Sequence, residues 1–312
     1  MAVPTRRKTK TKTKTLPARS NRAVTAATMT AVPAGYEQFN ASTGLDFRPF
    51  IKTRRWVTGL HKVGGKTTLF SQQRNTAFLD FEEGSGHIPM GPGSVRFRFK
   101  NYAEFKEWYD KFKVDVRRDQ APFEHVVFDS VDRFVAFVAA HLTAVYVTGS
   151  SSKSSSIYDY GQGGLGNRLV AEGVLLFPRE LTKLGVGWTA IGHLKWRMTR
   201  GEKGDEYQEM AASVAPLIDG GLSQDADFIW RCRSNVLSEQ STVKKQLVTN
   251  YTRVYYLETI TPDEDAEQWT SADRGSRVPM LPLIEIPKKN GIGLVEREYE
   301  AACKREAQAW MD

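Results

Sequence analysis

Short apolar runs and amphipathic stretches alternate through the middle of the chain. From Trp56 the pattern reads strand, turn, helix, strand, with the helix running from Thr67 to about Gln73 and a short buried-type strand over Thr76–Phe81 (TAFLDF). Ser94–Phe99 (SVRFRF) alternates like a strand with one wet face. Tyr102, Phe105, Tyr109 and Phe112 then recur at helical spacing, a stripe expected to face a core. Phe123–Phe128 (FEHVVF) predicts another strand, running into Asp129-Ser130-Val131-Asp132, and a helix carrying Phe134, Val135, Phe137 and Val138 follows. Residues 167–184 predict a helix that Pro178 could divide, and Gly187–Gly192 a further strand.

Thr148–Gly166 and Met198–Ala212 are polar and read as loops. Phe228–Cys232 is a strand, residues 244–260 hold one or two more, and an acidic turn (Pro262-Asp263-Glu264-Asp265) leads to an extended piece ending at Pro287. A final helix is expected from Ile292, with Val295, Tyr299, Ala302 and Trp310 on one face. Strands recurring with helices between them imply a mainly parallel sheet, whose ligands gather beyond the carboxyl ends of the strands. A glycine-rich turn, Glu82, Asp129 and His193 all fall at such ends.

Composition sharpens this picture at the termini. A chain of 312 residues accommodates one α/β domain with appendages, here a basic tail (1–35), a core (36–260) and a C-terminal extension with its helix (261–312). The tail carries eight Lys/Arg and no acid, and thereby accounts for the net charge of +8. Its Lys–Thr alternation and few large apolar groups predict disorder, and a flexible cationic arm suits counterion release on nucleic acid; a solubilising or localisation-type run is the alternative. Cys232 and Cys303 show no metal-ligand or disulfide spacing. No apolar run approaches the roughly 18–20 residues of a membrane span, and the N-terminus lacks an apolar signal core. These features predict a soluble, cytoplasmic protein with no membrane partner.

The candidate chemistry centres on Arg54–Thr68 (RRWVTGLHKVGGKTT). Glycines let successive amide N–H groups turn inward onto phosphate oxygens, and the following helix adds the positive end of its dipole. Gly59, His61, Lys62, Val63, Gly64, Gly65, Lys66, Thr67 and Thr68 form this cradle, Lys66 reaching the β- and γ-phosphates of ATP and the Thr67 hydroxyl holding Mg²⁺. The standard spacing puts Leu60 where the first glycine belongs, so the loop is one residue longer than usual or the signature is partly accidental. Asp129 is placed to hold the Mg²⁺ shell opposite Thr67, and Glu82 to orient or deprotonate a water, with Glu83 competing for that role. His193 is placed to sense the γ-phosphate. His87, His125 and His141 show no ligand spacing.

With these residues assembled, the chain resembles the RecA-like P-loop ATPases, and among them the phage-borne nucleotide-binding proteins that act as single-strand annealing recombinases. GLHKVGGKTT resembles their phosphate loop, FLDFEEG the strand ending in a catalytic glutamate (Glu82), HVVFDSVD the Walker B strand (Asp129, Ser130), and AIGHLK the strand ending in a γ-phosphate sensor (His193). RGSRVPMLP is similar to a basic turn near the end of the phage proteins' core. The resemblance implies a RecA-like α/β fold, ATP and Mg²⁺, single-stranded DNA as partner and a homo-oligomeric ring or filament. It further implies DNA-facing loops over Ser150–Gly166 and Met198–Ala212, with Lys153, Tyr158, Tyr160, Arg197, Arg200 and Lys203 as contacts. The expected activity is a DNA-dependent ATPase in DNA recombination; the alternatives are an annealing protein with a structural or degenerate pocket, and a helicase or packaging motor.

Overall fold

The computed structural model describes residues 47–61, 65–148, 155–161, 163–200, 206–243, 246–259, 280–281, 283–287 and 289–311. The basic tail, Lys62, Val63 and Gly64, Lys153, Lys203, the acidic turn and Arg274–Arg277 lie outside the described residues, as do the side chains of Arg197, Arg200 and Trp310. The chain divides into Met1–Leu45 with Ala307–Asp312, and Asp46–Glu306. The architecture that follows is that of the second unit.

In chain order the elements are β1 (Arg54–Gly59), α1 (Lys66–Ser71), β2 (Thr76–Asp80), β3 (Val95–Phe97), α2 (Tyr102–Arg117), β4 (His125–Asp129), α3 (Val131–Tyr146) and α4 (Leu165–Lys183). They continue with β5 (Gly187–Ile191), β6 (Leu194–Arg200), β7 (Glu206–Ala212), α5 (Pro216–Asp225), β8 (Phe228–Val243), β9 (Gln246–Glu258), β10 (Leu283–Ile286) and α6 (Gly291–Met311). One sheet runs β10-β9-β8-β1-β5-β4-β2-β3. From β8 to β3 every pairing is parallel, while β9 and β10 add antiparallel. This is a mainly parallel, helix-flanked α/β fold, with β5 inserted between β1 and β4.

Strand alternation supplies both faces of the sheet. Trp56, Ala77, Leu79, Val126, Phe128, Trp188 and Ala190 pack with α2, α3, α4 and α5. Their neighbours Val57, Phe78, Val127 and Ile191 point the other way, into a core shared with Leu69 and Phe70 of α1 and Ile292, Val295, Tyr299 and Ala302 of α6. Fully buried central strands therefore read as continuous apolar runs, which is how they were recognisable. Helix α2 begins in a reciprocal cap: Asn101 Oδ1 accepts from the Glu104 N–H at 2.9 Å, and Glu104 Oε2 accepts from the Lys100 N–H at 2.8 Å. Pro178 lies inside α4 without dividing it, because Val174, Leu175, Phe177 and Leu181 pin the helix to the core on both sides.

Near the start of β1 two buried cationic or titratable side chains, Arg55 and His125, are held by hydrogen bonds. Arg55 donates to Thr53 Oγ1 at 2.8 Å, Gln73 Oε1 at 2.6 Å and the Phe50 carbonyl, and its guanidinium lies 3.8 Å from the Phe50 ring centroid. Burial pushes it down to about 9. His125 is neutral: Nδ1–H donates to the Ile51 carbonyl at 2.6 Å, Nε2 accepts from the Thr189 hydroxyl at 2.8 Å, and burial holds its pKa well below the ordinary value.

Three elements depart from the sequence reading. Within the stretch read as a polar loop, Met198–Arg200 and Glu206–Ala212 are strand instead, parts of an antiparallel ribbon of β6 with β7 in which Trp196 pairs with Met210, and residues 201–205 lie outside the described residues. The strand beginning at Phe228 continues to Val243 and pairs with β9 from Arg231 onward. Pro216–Asp225 is helical, with Pro216 in the first turn and Ile218 and Leu222 buried.

Candidate active site

The carboxyl ends of β1, β2, β4 and β5 converge on a cavity of about 390 Å³, whose walls include Lys66, Thr67, Glu82, Asp129 and His193. Gly59 closes β1 against the backbone of β8: a Cβ there would sit 2.5 Å from the Cys232 carbonyl oxygen. Gly65 takes the left-handed conformation (φ +66°) that opens α1 and lies under the Tyr255 ring, so any side chain there meets both strain and collision. At six residues, α1 is too short for much macrodipole. The anion-attracting part of the cradle is therefore Lys66 and the individual backbone N–H groups.

Lys66 is buried, and its ammonium donates to the Gly59 and Leu60 carbonyls, both at 2.9 Å. Burial lowers its pKa, which makes an incoming phosphate a favourable exchange for two neutral acceptors. Thr67 Oγ1 donates to Asp129 Oδ2 at 2.8 Å. With its proton directed at Asp129, the hydroxyl leaves its lone pairs to the cavity, and this oxygen pair suits a hard cation such as Mg²⁺. Burial raises the Asp129 carboxyl to about 7, against the Thr67 hydrogen bond and with the neighbouring Glu82 and Asp80 adding to the rise.

Glu82 lies just beyond β2 and accepts from Ser130 Oγ at 2.6 Å. Its position is set by Asp80, a buried carboxylate that accepts from the Glu83 N–H at 2.9 Å, Ser85 Oγ at 2.6 Å and Arg98 Nε at 2.9 Å. These bonds fold the turn so that Glu82 lines the cavity while Glu83, with φ +60°, is exposed. The two carboxylates that compete in sequence are thus separated in space.

His193 sits two residues past β5 and is held from α3: Asp132 Oδ2 accepts from its backbone N–H at 3.0 Å and faces its Nδ1 at 3.2 Å. Its Nε2 lies 3.5 Å from Glu82 Oε1 and 3.1 Å from His61 Nδ1. A parallel bridge between Leu60 and Leu194 holds the two histidines in place. The structure therefore gathers Gly59, His61, Gly65, Lys66, Thr67, Thr68, Glu82, Asp129 and His193, while Lys62, Val63 and Gly64 are outside the described residues.

Sequence reasoning assigned no role to Asp80, Asp132 or Arg98, nor to His87, which also lines the cavity. It also missed a second cavity of about 250 Å³ that shares Gly65 and Thr68 and is walled by Gln72, Tyr255, Tyr256 and Pro287. The doubled tyrosine in VYYLE was the available signal, but only folding sets β9 beside the loop after β1.

A glycine turn feeding Lys-Thr, a strand-end aspartate facing that threonine, and a glutamate one strand further define a P-loop nucleoside triphosphatase. More particularly, the chain belongs to the AAA-domain family, which it matches over residues 51–261. No curated protein matches the sequence. Among solved structures, a KaiC-like protein from the hyperthermophilic archaeon Pyrococcus horikoshii OT3 is similar over 76% of this chain and 90% of its own, at 10% identity and a TM-score of 0.32. Among the described residues no helix is long and apolar enough to cross a membrane.

Proposed function

We propose that the protein hydrolyses ATP while assembled as a homo-oligomer on single-stranded DNA, and that nucleotide state controls DNA annealing or strand exchange in recombination. The observation that carries the nucleotide half is the convergence of Lys66, Thr67, Glu82, Asp129 and His193 on one cavity. Lys66 turns from the Gly59 and Leu60 carbonyls to the phosphates, and Thr67 with Asp129 would hold Mg²⁺, which would supply charge neutralisation for the phosphate oxygens. Glu82, oriented by Ser130, positions the attacking water and accepts its proton. In its imidazolium form His193 donates from Nε2 to the γ-phosphate, and Asp132, facing Nδ1, fixes it in that pose.

Support for the DNA half is the continuity from His193 into β6. Lys195 and Trp196 follow His193 after the buried Leu194 and are exposed, Trp196 at 60%. The exposed Trp196 ring suits stacking on unpaired bases, and Lys195 adds positive charge on the other face of the ribbon. A shift of His193 on meeting phosphate is transmitted through two residues to that surface, and the basic tail adds sequence-independent attraction. The second cavity, with Tyr255 and Tyr256, is assigned to the nucleobase.

The test is steady-state ATP hydrolysis with and without single-stranded DNA. DNA-stimulated turnover is expected, with Lys66→Ala abolishing it and weakening ATP binding about 10- to 100-fold, the value of a hydrogen bond to a charged group. Normal binding and turnover by Lys66→Ala would overturn the site, and turnover indifferent to DNA would overturn the coupling. For the base subsite, Tyr255→Ala is expected to weaken ATP binding about tenfold while inorganic triphosphate binds as before, as fits a contact worth about 1–3 kcal/mol of stacking. Equal losses for both ligands would remove the base from that cavity.

A further inference from the structure

We propose that His61, Glu82 and His193 form a binding site for a borderline-soft divalent transition ion of zinc's class, which acts as a brake on the nucleotide site. One ligand atom from each residue lies within 4.8 Å of the other two. His61 Nδ1 and His193 Nε2 are 3.1 Å apart, and His193 Nε2 and Glu82 Oε1 are 3.5 Å apart. Tetrahedral ligands with bonds of about 2.0–2.1 Å are roughly 3.3 Å from one another, so the trio needs little movement to close on an ion.

The donor on His193 is already oriented for this. Asp132 Oδ2 accepts the backbone N–H of His193 and faces Nδ1 at 3.2 Å. A carboxylate has no proton to give, so Nδ1 carries the hydrogen, and in the neutral ring Nε2 turns its lone pair toward His61 and Glu82. This carboxylate–histidine arrangement is the one that orients and strengthens metal-binding imidazoles. Glu82 is positioned in the same way, by the Ser130 hydroxyl at 2.6 Å. Between Nε2 and the Glu82 carboxylate two electron-rich atoms face each other at 3.5 Å, an arrangement that a cation relieves.

Donor chemistry separates this trio from the Mg²⁺ pair across the cavity. Two imidazoles and one carboxylate favour zinc, cobalt or nickel, whereas the oxygens of Thr67 and Asp129 favour magnesium. Three protein ligands leave a coordination position open toward the cavity. An ion held here occupies both Glu82 and His193 and so withdraws them from the proton transfer and phosphate contact assigned above. That consequence rests on the proposed function, whereas the binding site does not.

The experiment uses the full chain, stripped of metal and free of nucleotide, titrated with Co²⁺ and then Zn²⁺. Expected is the intense visible absorption of four-coordinate Co²⁺, lost on adding Zn²⁺. His61→Ala and His193→Ala are expected to weaken binding at least about 100-fold, and Asp132→Asn about 10- to 100-fold, the range for residues that orient a metal ligand. His61 is exposed, so its truncation leaves the core intact. His141→Ala, on a residue stacked against Tyr102, is expected to bind as wild type does. Lys66→Ala is also expected to bind Zn²⁺ normally, so loss of the ATPase reading leaves the metal reading standing, and the reverse. With Mg²⁺ saturating, ATP hydrolysis is expected to fall at the buffered free Zn²⁺ that fills the site. A six-coordinate Co²⁺ spectrum, or binding unaffected by His61→Ala and His193→Ala, would overturn the site; full hydrolysis with the site filled would overturn the brake.

Discussion

Glu82→Gln is expected to bind MgATP within about twofold of wild type and to hydrolyse it about 10²- to 10⁴-fold more slowly, the usual contribution of a positioned general base. The amide matches the carboxylate in shape, and its oxygen still accepts from Ser130 Oγ, the bond that measures 2.6 Å to Glu82 Oε1. Position is therefore kept and basicity is lost. Glu83→Gln is the paired control, expected within about threefold of wild type because Glu83 is exposed outside the cavity. Equilibrium ATP binding and single-turnover hydrolysis together read the split. If Glu83→Gln slowed turnover and Glu82→Gln did not, the base would be the other carboxylate and the Asp80-centred turn would have been misread.

That pair also shows where sequence reasoning stops. FLDFEEG announces a strand and two glutamates, because buried parallel strands are continuous apolar runs and their polar ends stand out. Choosing between the glutamates requires Asp80, Ser85 and Arg98, which meet only once β2, its following turn and the stretch after β3 are folded together. Asp132 is hidden for the same reason: it sits in the first turn of α3, and its partner, His193, is 61 residues away.

The ribbon of β6 and β7 was illegible for a different reason. With Lys195 and Trp196 both exposed, successive residues on the two faces of the ribbon meet water, and the strand loses the apolar–polar alternation that betrays half-buried strands. In α5 the adjacent Gly220 and Gly221 argue locally against a helix, yet Gly221 lies against the Leu175 side chain, where a Cβ would come within 2.4 Å. Close helix packing outweighs propensity there. The four strand ends that carry the site were legible because each is coded by one short segment; what connects them is coded by none.

Asp129→Asn is expected to move activity and stability in opposite directions. Turnover should fall about 10²- to 10³-fold, the usual cost of deleting one preorganised electrostatic contact, because the amide is a poor substitute for a carboxylate opposite a divalent ion. Stability of the nucleotide-free protein should rise at pH 8. Burial, reinforced by Glu82 and Asp80, lifts the Asp129 carboxyl to about 7, whereas in the unfolded chain it titrates at about 3.9. Between these values the folded state holds a proton that the unfolded state has released, so this group's contribution to stability falls as pH rises through the window and is fully unfavourable above pH about 7. Three pH units correspond to about 4 kcal/mol as an upper bound. Asparagine carries no charge to bury and still offers Thr67 an acceptor. At about 2–4 °C per kcal/mol, the variant's melting temperature should exceed wild type by several degrees at pH 8, and the two should converge at pH 4, where both side chains are largely neutral. Differential scanning calorimetry across that range reads the difference directly. An Asp129→Asn protein less stable than wild type at pH 8 would mean that the carboxylate is ionised and satisfied without a cation, and the charge balance drawn here for the cavity would be wrong.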